Sequence, residues 1–79
     1  MQKVEVFTSP GCPMCMILKS HLKDAGIEYE ECTDIDRMLD MGLLHAPMMQ
    51  VDGGALMNFT AAMAWVGQAR EERARHAGD

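Results

Sequence analysis

Polar and apolar residues alternate from Lys3 to Phe7, with Val4 and Val6 on one face, in residue types that favour a strand. Thr8-Ser9-Pro10-Gly11 breaks this run, and Pro13 suits the first turn of a helix, where a missing N–H costs nothing. Cys15, Leu18, Leu22 and Ala25 then recur at helical spacing as one buried stripe, with Lys19 and Lys23 on the wet side and Gly26 as a left-handed cap. Ile27 to Cys32 reads as a second strand of poor alternation. Thr33 or Asp34 caps a short helix containing Ile35, Met38 and Leu39, which ends near Gly42. Pro47 opens a third strand, Met48-Met49-Gln50-Val51, and Asp52-Gly53-Gly54 signals a hairpin into a fourth, Ala55-Leu56-Met57. Thr60 caps a last helix running to about Arg75, with Ala62, Trp65, Val66 and Ala69 inward, Glu71 and Arg75 paired outside, and a frayed end from His76.

The order is β-α-β-α-β-β-α. A β-α-β unit implies parallel strands joined by a right-handed crossover, and a hairpin adds antiparallel ones. The expected architecture is a single α/β domain over residues 1–79, a four-stranded mixed sheet whose two faces are covered by three helices.

Composition narrows the function. At 79 residues the chain has room for one small core, and 48% hydrophobic with 24% charged residues is ordinary for a folded domain. The net charge is −5, the basic residues are scattered, and only four aromatics are present (Phe7, Tyr29, Phe59, Trp65), so a nucleic-acid partner is not expected. The apolar runs are far shorter than the ~20 residues that span a bilayer, and the first residues lack a signal peptide's apolar stretch. No membrane association and a cytoplasmic location follow as expectations. Nine methionines read most simply as flexible padding in a small core.

Three cysteines cannot all pair within one chain, and Cys12 and Cys15 lie only three residues apart. They are better suited to chemistry than to stapling a secreted scaffold. Cys12-Pro13-Met14-Cys15 follows a strand and opens a helix, which puts both sulfurs on one helix face within bridging reach. At the helix N-terminus the Cys12 thiolate is stabilised by free N–H groups and the dipole. Cys15 lies a turn inside on the buried stripe. Cys12 is therefore the expected nucleophile toward a substrate disulfide, and Cys15 the resolving thiol. The alternative is a thiol metal-binding or iron–sulfur-binding module. Tetrahedral zinc needs two further ligands, and Cys32, His21, His45 and His76 offer no second close pair, so no metal site is expected within one chain.

Phe7-Thr8-Ser9-Pro10-Gly11-Cys12-Pro13-Met14-Cys15, then Ala46-Pro47 ahead of a strand, then Val51-Asp52-Gly53, resembles a glutaredoxin of the thioredoxin superfamily over nearly the whole chain. The resemblance implies a cis Pro47 opposite the cysteines and Ala46 pairing through its backbone with a bound thiol peptide. Pro13, Met14, Ala46 and Pro47 are then the substrate-contacting residues beside the redox-active Cys12 and Cys15. No bound cofactor is implied, only electrons from glutathione or a thioredoxin reductase, and a monomer is expected.

The departures bear on the partner. Glutathione-using glutaredoxins carry a lysine three residues before the first cysteine, threonine-valine before the cis proline, and glycines with an acidic pair at the last helix. Here those positions read Ser9, His45-Ala46 and Met57-Asn58-Phe59-Thr60-Ala61. Ala46-Pro47 and Phe59 are more similar to NrdH-type redoxins, which take electrons from thioredoxin reductase and pass them to ribonucleotide reductase. Met14 between the cysteines departs from that branch.

Among the other residues, Cys32 reads as a partly buried structural thiol. His45 and His21 read as solvated, although a charged His45 near the cysteines would favour a thiolate. Met14, Met48 and Met49 flank the expected active surface, either as a docking patch or as core. Arg70, Glu71, Glu72, Arg73 and Arg75 read as a solvated helix face, and Trp65 as the last helix's anchor on the sheet.

Overall fold

A computed structural model describes residues 3–43 and 45–77, with side chains through residue 72. The elements run β1 (Val4–Phe7), α1 (Pro13–Asp24), β2 (Glu30–Cys32), α2 (Ile35–Asp40), β3 (Met48–Val51) and α3 (Phe59–Ala77). Among the described residues the sheet has three strands, in the order β2-β1-β3. β2 is parallel to β1 with Val6 opposite Glu31, and β3 is antiparallel with Val6 opposite Met49.

β1 is central and buries both faces. Val4 and Val6 join Leu18 and Leu22 of α1, Met49 of β3, and Ala62 and Val66 of α3 in the main core, against which Trp65 and Phe59 pack. Phe7 points the other way, into a smaller core with Met38 and Leu43 beneath α2. Fully burying each large aliphatic side chain contributes roughly 1.5–3 kcal/mol, so the α1–α3 side carries most of the stability.

Helix α1 ends in a double hydrogen-bonded cap: Gly26 N–H donates to the Lys23 carbonyl at 3.0 Å and Ile27 N–H to Leu22 at 2.9 Å. Gly26 holds φ +70°, which a side chain would resist. This cap corrects the expected second strand. Ile27 is consumed in closing α1, and the backbone comes into register with β1 only at Glu30. Helix α2 ends the same way, with Gly42 donating to Leu39 and Leu43 to Met38. Of the two expected caps at its start, Asp34 is used, its carboxylate accepting from Arg37 N–H at 3.2 Å.

The fourth strand does not form. Asp52 and Gly53 both take positive φ, and Gly54 N–H closes the two-residue turn on the Val51 carbonyl at 2.9 Å. That turn would set Leu56 opposite Met49. Instead Met57 makes the single bridge to Met49, one residue out of step, with hydrogen bonds of 2.9 and 2.7 Å in the two directions. The slip swaps faces: Met57 packs against the main core while Ala55 and Leu56 are left exposed. The Gly54 carbonyl is taken by the Gln50 side-chain amide at 2.8 Å rather than by a ladder.

The cap of α3 is also displaced. Asn58, not Thr60, accepts from Ala61 N–H at 2.9 Å, so the helix starts at Phe59 and runs past Arg75 to Ala77. Arg70, Glu71 and Glu72 are exposed, whereas the Arg73 and Arg75 side chains lie outside the described residues. Among the described residues no helix is long and apolar enough to cross a membrane.

Candidate active site

The loop after β1 delivers Cys12 to the N-cap of α1, with Pro13 as the first helical residue. Cys12 and Cys15 are joined by a disulfide, their Cα atoms 5.3 Å apart. Cys15 N–H donates to the Cys12 sulfur at 3.1 Å, so the cap position that would take an oxygen in most helices takes a sulfur here. The same N–H, with the dipole behind it, favours a Cys12 thiolate once the pair is reduced. Burial separates the two sulfurs: Cys15 is 2% exposed, whereas Cys12 is half-buried and open to a partner.

Facing them is the loop before β3. The Ala46–Pro47 peptide bond is cis, Pro47 is buried, and the Ala46 carbonyl oxygen lies 3.8 Å from the Cys12 sulfur. The Ala46 N–H has no hydrogen bond among the described residues. Pro13 and Met14 are exposed on the first turn of α1 next to Cys12, and Ala46 and Pro47 lie across from Cys12 ahead of β3. Beside the disulfide runs a groove of about 280 Å³ lined by Thr8, Ser9, Cys12, Cys15, Lys19 and Glu31 among others. A larger hollow of about 550 Å³, between Lys23 and Tyr29 at the far end of α1, contains no thiol.

Three residues of that groove form a chain of polar contacts. The buried Thr8 hydroxyl donates to Glu31 Oε2 at 2.7 Å, and the Lys19 ammonium donates to the same oxygen at 2.8 Å. Lys19 first, then Thr8, hold the Glu31 carboxyl below its ordinary range, and Glu31 in turn raises Lys19.

The remaining residues fall as follows. Cys32 is a free, half-buried thiol packed against the smaller core, and the Arg37 guanidinium faces it. Arg37 also pairs with Glu5 at 3.1 Å and lies 5.6 Å from the Phe7 ring centre; Cys32 and then Glu5 hold it further toward its charged form. His21 and His45 are exposed, and His45 makes no hydrogen bond to Cys12 among the described residues. Of the three methionines, Met49 is fully buried core, Met48 packs on the smaller core, and Met14 is left as the exposed one. Among the described residues no group of three or more His, Cys, Asp or Glu is placed to hold a metal ion.

The family model described as Glutaredoxin matches residues 4–41, from β1 through the end of α2. A relative described as a probable thioredoxin, from Methanothermobacter marburgensis, is 30% identical over a 60-residue alignment that covers 65% of this chain and 71% of that protein. Among solved structures, glutaredoxin 1 from Francisella tularensis, crystallised with cacodylate, superimposes with a TM-score of 0.71 at 20% identity, covering 86% of this chain and 95% of that one. A Nu-class GST from Haemonchus contortus gives 0.72 at 20% identity over 90% of this chain, which spans 37% of that protein. At such identities these two likenesses speak to the fold alone.

Proposed function

Because the chain belongs to the thioredoxin superfamily as a glutaredoxin-type member, we propose that it is a dithiol–disulfide oxidoreductase cycling Cys12 and Cys15. The observation that carries the reading is the split in access between two bridged sulfurs at one helix start, Cys12 open and Cys15 buried. In the reduced protein the Cys12 thiolate attacks one sulfur of a partner disulfide, forming a mixed disulfide and expelling the other partner sulfur as a thiolate. Cys15 then loses its proton and attacks the Cys12 sulfur. That closes the Cys12–Cys15 bond, releases the second partner thiol, and delivers two electrons in all. Ala46 and the exposed Pro13 and Met14 frame the partner segment during attack.

For the reductant, the chain favours a thioredoxin reductase, as in NrdH-type redoxins, over glutathione. The charged ends of glutathione lack the usual lysine at Ser9 and the usual acids at Asn58 and Thr60, and charge-assisted contacts of this kind are worth roughly 1.5–3 kcal/mol each. Asn58 is moreover occupied in capping α3. A cytoplasmic monomer with no resident cofactor, passing electrons to a protein disulfide such as that of a ribonucleotide reductase, completes the proposal.

The test is a reduction race on the oxidised protein, following loss of the Cys12–Cys15 disulfide. One arm supplies glutathione, glutathione reductase and NADPH; the other supplies thioredoxin reductase and NADPH. Rapid loss only in the second arm is the expected result, and rapid loss only with glutathione overturns the choice of reductant. Cys12→Ser abolishes reduction of a partner disulfide, whereas Cys15→Ser accumulates the mixed disulfide. A Cys12→Ser protein as active as the parent sinks the whole assignment.

A further inference from the structure

Helix α2 leaves an apolar stripe uncovered, with Ala46 between it and the reactive sulfur. Ile35 and Leu39 are 56% and 58% exposed although they sit one turn apart on one helix face. They line a groove of about 270 Å³ together with Ser9, Leu43, His45 and Ala46. Ala46 is the shared wall, since its carbonyl oxygen is the atom 3.8 Å from Cys12. An extended segment lying in this groove would therefore reach the nucleophile at one end.

The next positions around α2 are Asp36 and Asp40, also one turn apart and also exposed. Like charges at this spacing oppose the helix that carries them. Asp36 lies in the first turn, where the helix dipole favours an anion, but Asp40 at the far end has no such support, and Arg37, the helix's own cation, turns to Glu5 and Phe7. The ion pairs among the described residues involve Glu5, Glu30 and Glu31, none of them these two aspartates. An apolar stripe that shares its groove with Ala46 thus runs alongside an unpaired acidic one on the same helix.

We infer that the Ile35–Leu39 groove, with Asp36 and Asp40 exposed alongside it on the same helix, selects protein disulfides whose flanking residues are apolar and basic. The inference rests on the thiol–disulfide reading above and names the substrate class for it. Leucine-like side chains of the partner cover Ile35 and Leu39, while a lysine or arginine beside them meets the two carboxylates. Recognition of this kind acts on the encounter with the partner, so it is screened by salt.

Three peptide disulfides test it, each a symmetric dimer of a cysteine peptide with leucine and either lysine, serine or glutamate beside the cysteine. Prereduced protein is mixed with each in a single turnover, and the rate is divided by that of dithiothreitol to remove differences between leaving thiols. Hydroxyethyl disulfide, too small to fill the groove, serves as reference. The lysine peptide should react about tenfold faster than the glutamate peptide at low salt, with the ratio shrinking as salt is added.

Asp36→Asn with Asp40→Asn should bring the ratio to within about twofold, whereas Glu71→Gln with Glu72→Gln, the same charge change on the opposite face, leaves it in place. Ile35→Ala with Leu39→Ala should slow all three peptides severalfold and leave hydroxyethyl disulfide unaffected. Equal rates for the lysine and glutamate peptides, or equal effects of the two charge-removing pairs, overturn the proposal while leaving the enzyme intact. Failure to reduce hydroxyethyl disulfide at all strikes instead at the thiol–disulfide reading beneath it.

Discussion

Glu31 receives two hydrogen bonds from different elements, one from the buried Thr8 hydroxyl after β1 and one from Lys19 on α1. Its carboxyl is held below the ordinary value of 4.5, chiefly by Lys19, so what it adds to stability is present above that value and lost as the pH falls through the depressed one. Lys19 is raised above 10.5, chiefly by Glu31, so its share is complete below that value and lost only as the pH rises through the raised one. The contact is therefore level across neutral pH and fades at both ends. Glu31→Gln should leave stability less sensitive to acid below about pH 4.5, read from urea midpoints across pH. An unchanged acid limb would mean that the contact adds nothing to folding. The sequence showed Lys19 only as a polar position on α1. Its partner lies twelve residues on, and only the parallel register that sets Val6 opposite Glu31 brings that carboxylate toward α1. Cys12 and Cys15 needed no such register, because their relation is local to one helical turn.

Helix boundaries divide in the same way between local and distant causes. The glycine ends of α1 and α2 were legible because a left-handed cap leaves its mark on the residue that adopts it. The start of α3 was not, since Asn58 and Thr60 are both good caps and the choice between them depends on which turn sets Phe59 and Ala62 against the core. Asn58→Ala should cost about 1 kcal/mol, and Thr60→Ala, whose hydroxyl caps nothing, only a few tenths, both read from urea denaturation. A Thr60→Ala loss larger than that of Asn58→Ala would mean that the cap lies elsewhere in solution. The missing fourth strand belongs here too. Asp52-Gly53 fixed the turn, but burying Met57 rather than Leu56 opposite Met49 is a tertiary preference that the turn residues do not encode.

Over the whole molecule the two faces of the sheet are stabilised unequally. Among the described residues the main core joins β1, β3, α1 and α3 through eight buried residues, whereas the α2 side rests on Phe7, Met38 and Leu43. That inequality was partly visible in advance, because only the first and last helices carry a full apolar stripe. What could not be seen was that Ile35 and Leu39 stay outside, leaving Met38 as the helix's single buried contact. An element held by so little apolar area opens before the rest, and here it is the element whose exposed face borders Ala46, the residue whose carbonyl faces the reactive sulfur. Native-state hydrogen exchange should find the Met41 and Leu43 amides, which close α2, opening at a free energy well below that of the Val6 amide in the central strand. Met38→Ala should widen the gap, removing roughly 2–5 kcal/mol of contact from the α2 side, whereas Leu18→Ala should lower protection throughout the molecule. Equal opening energies for α2 and β1 in the unmutated protein would show instead that the domain unfolds as one unit. In that case the Ile35–Leu39 face would meet its partner as a rigid surface.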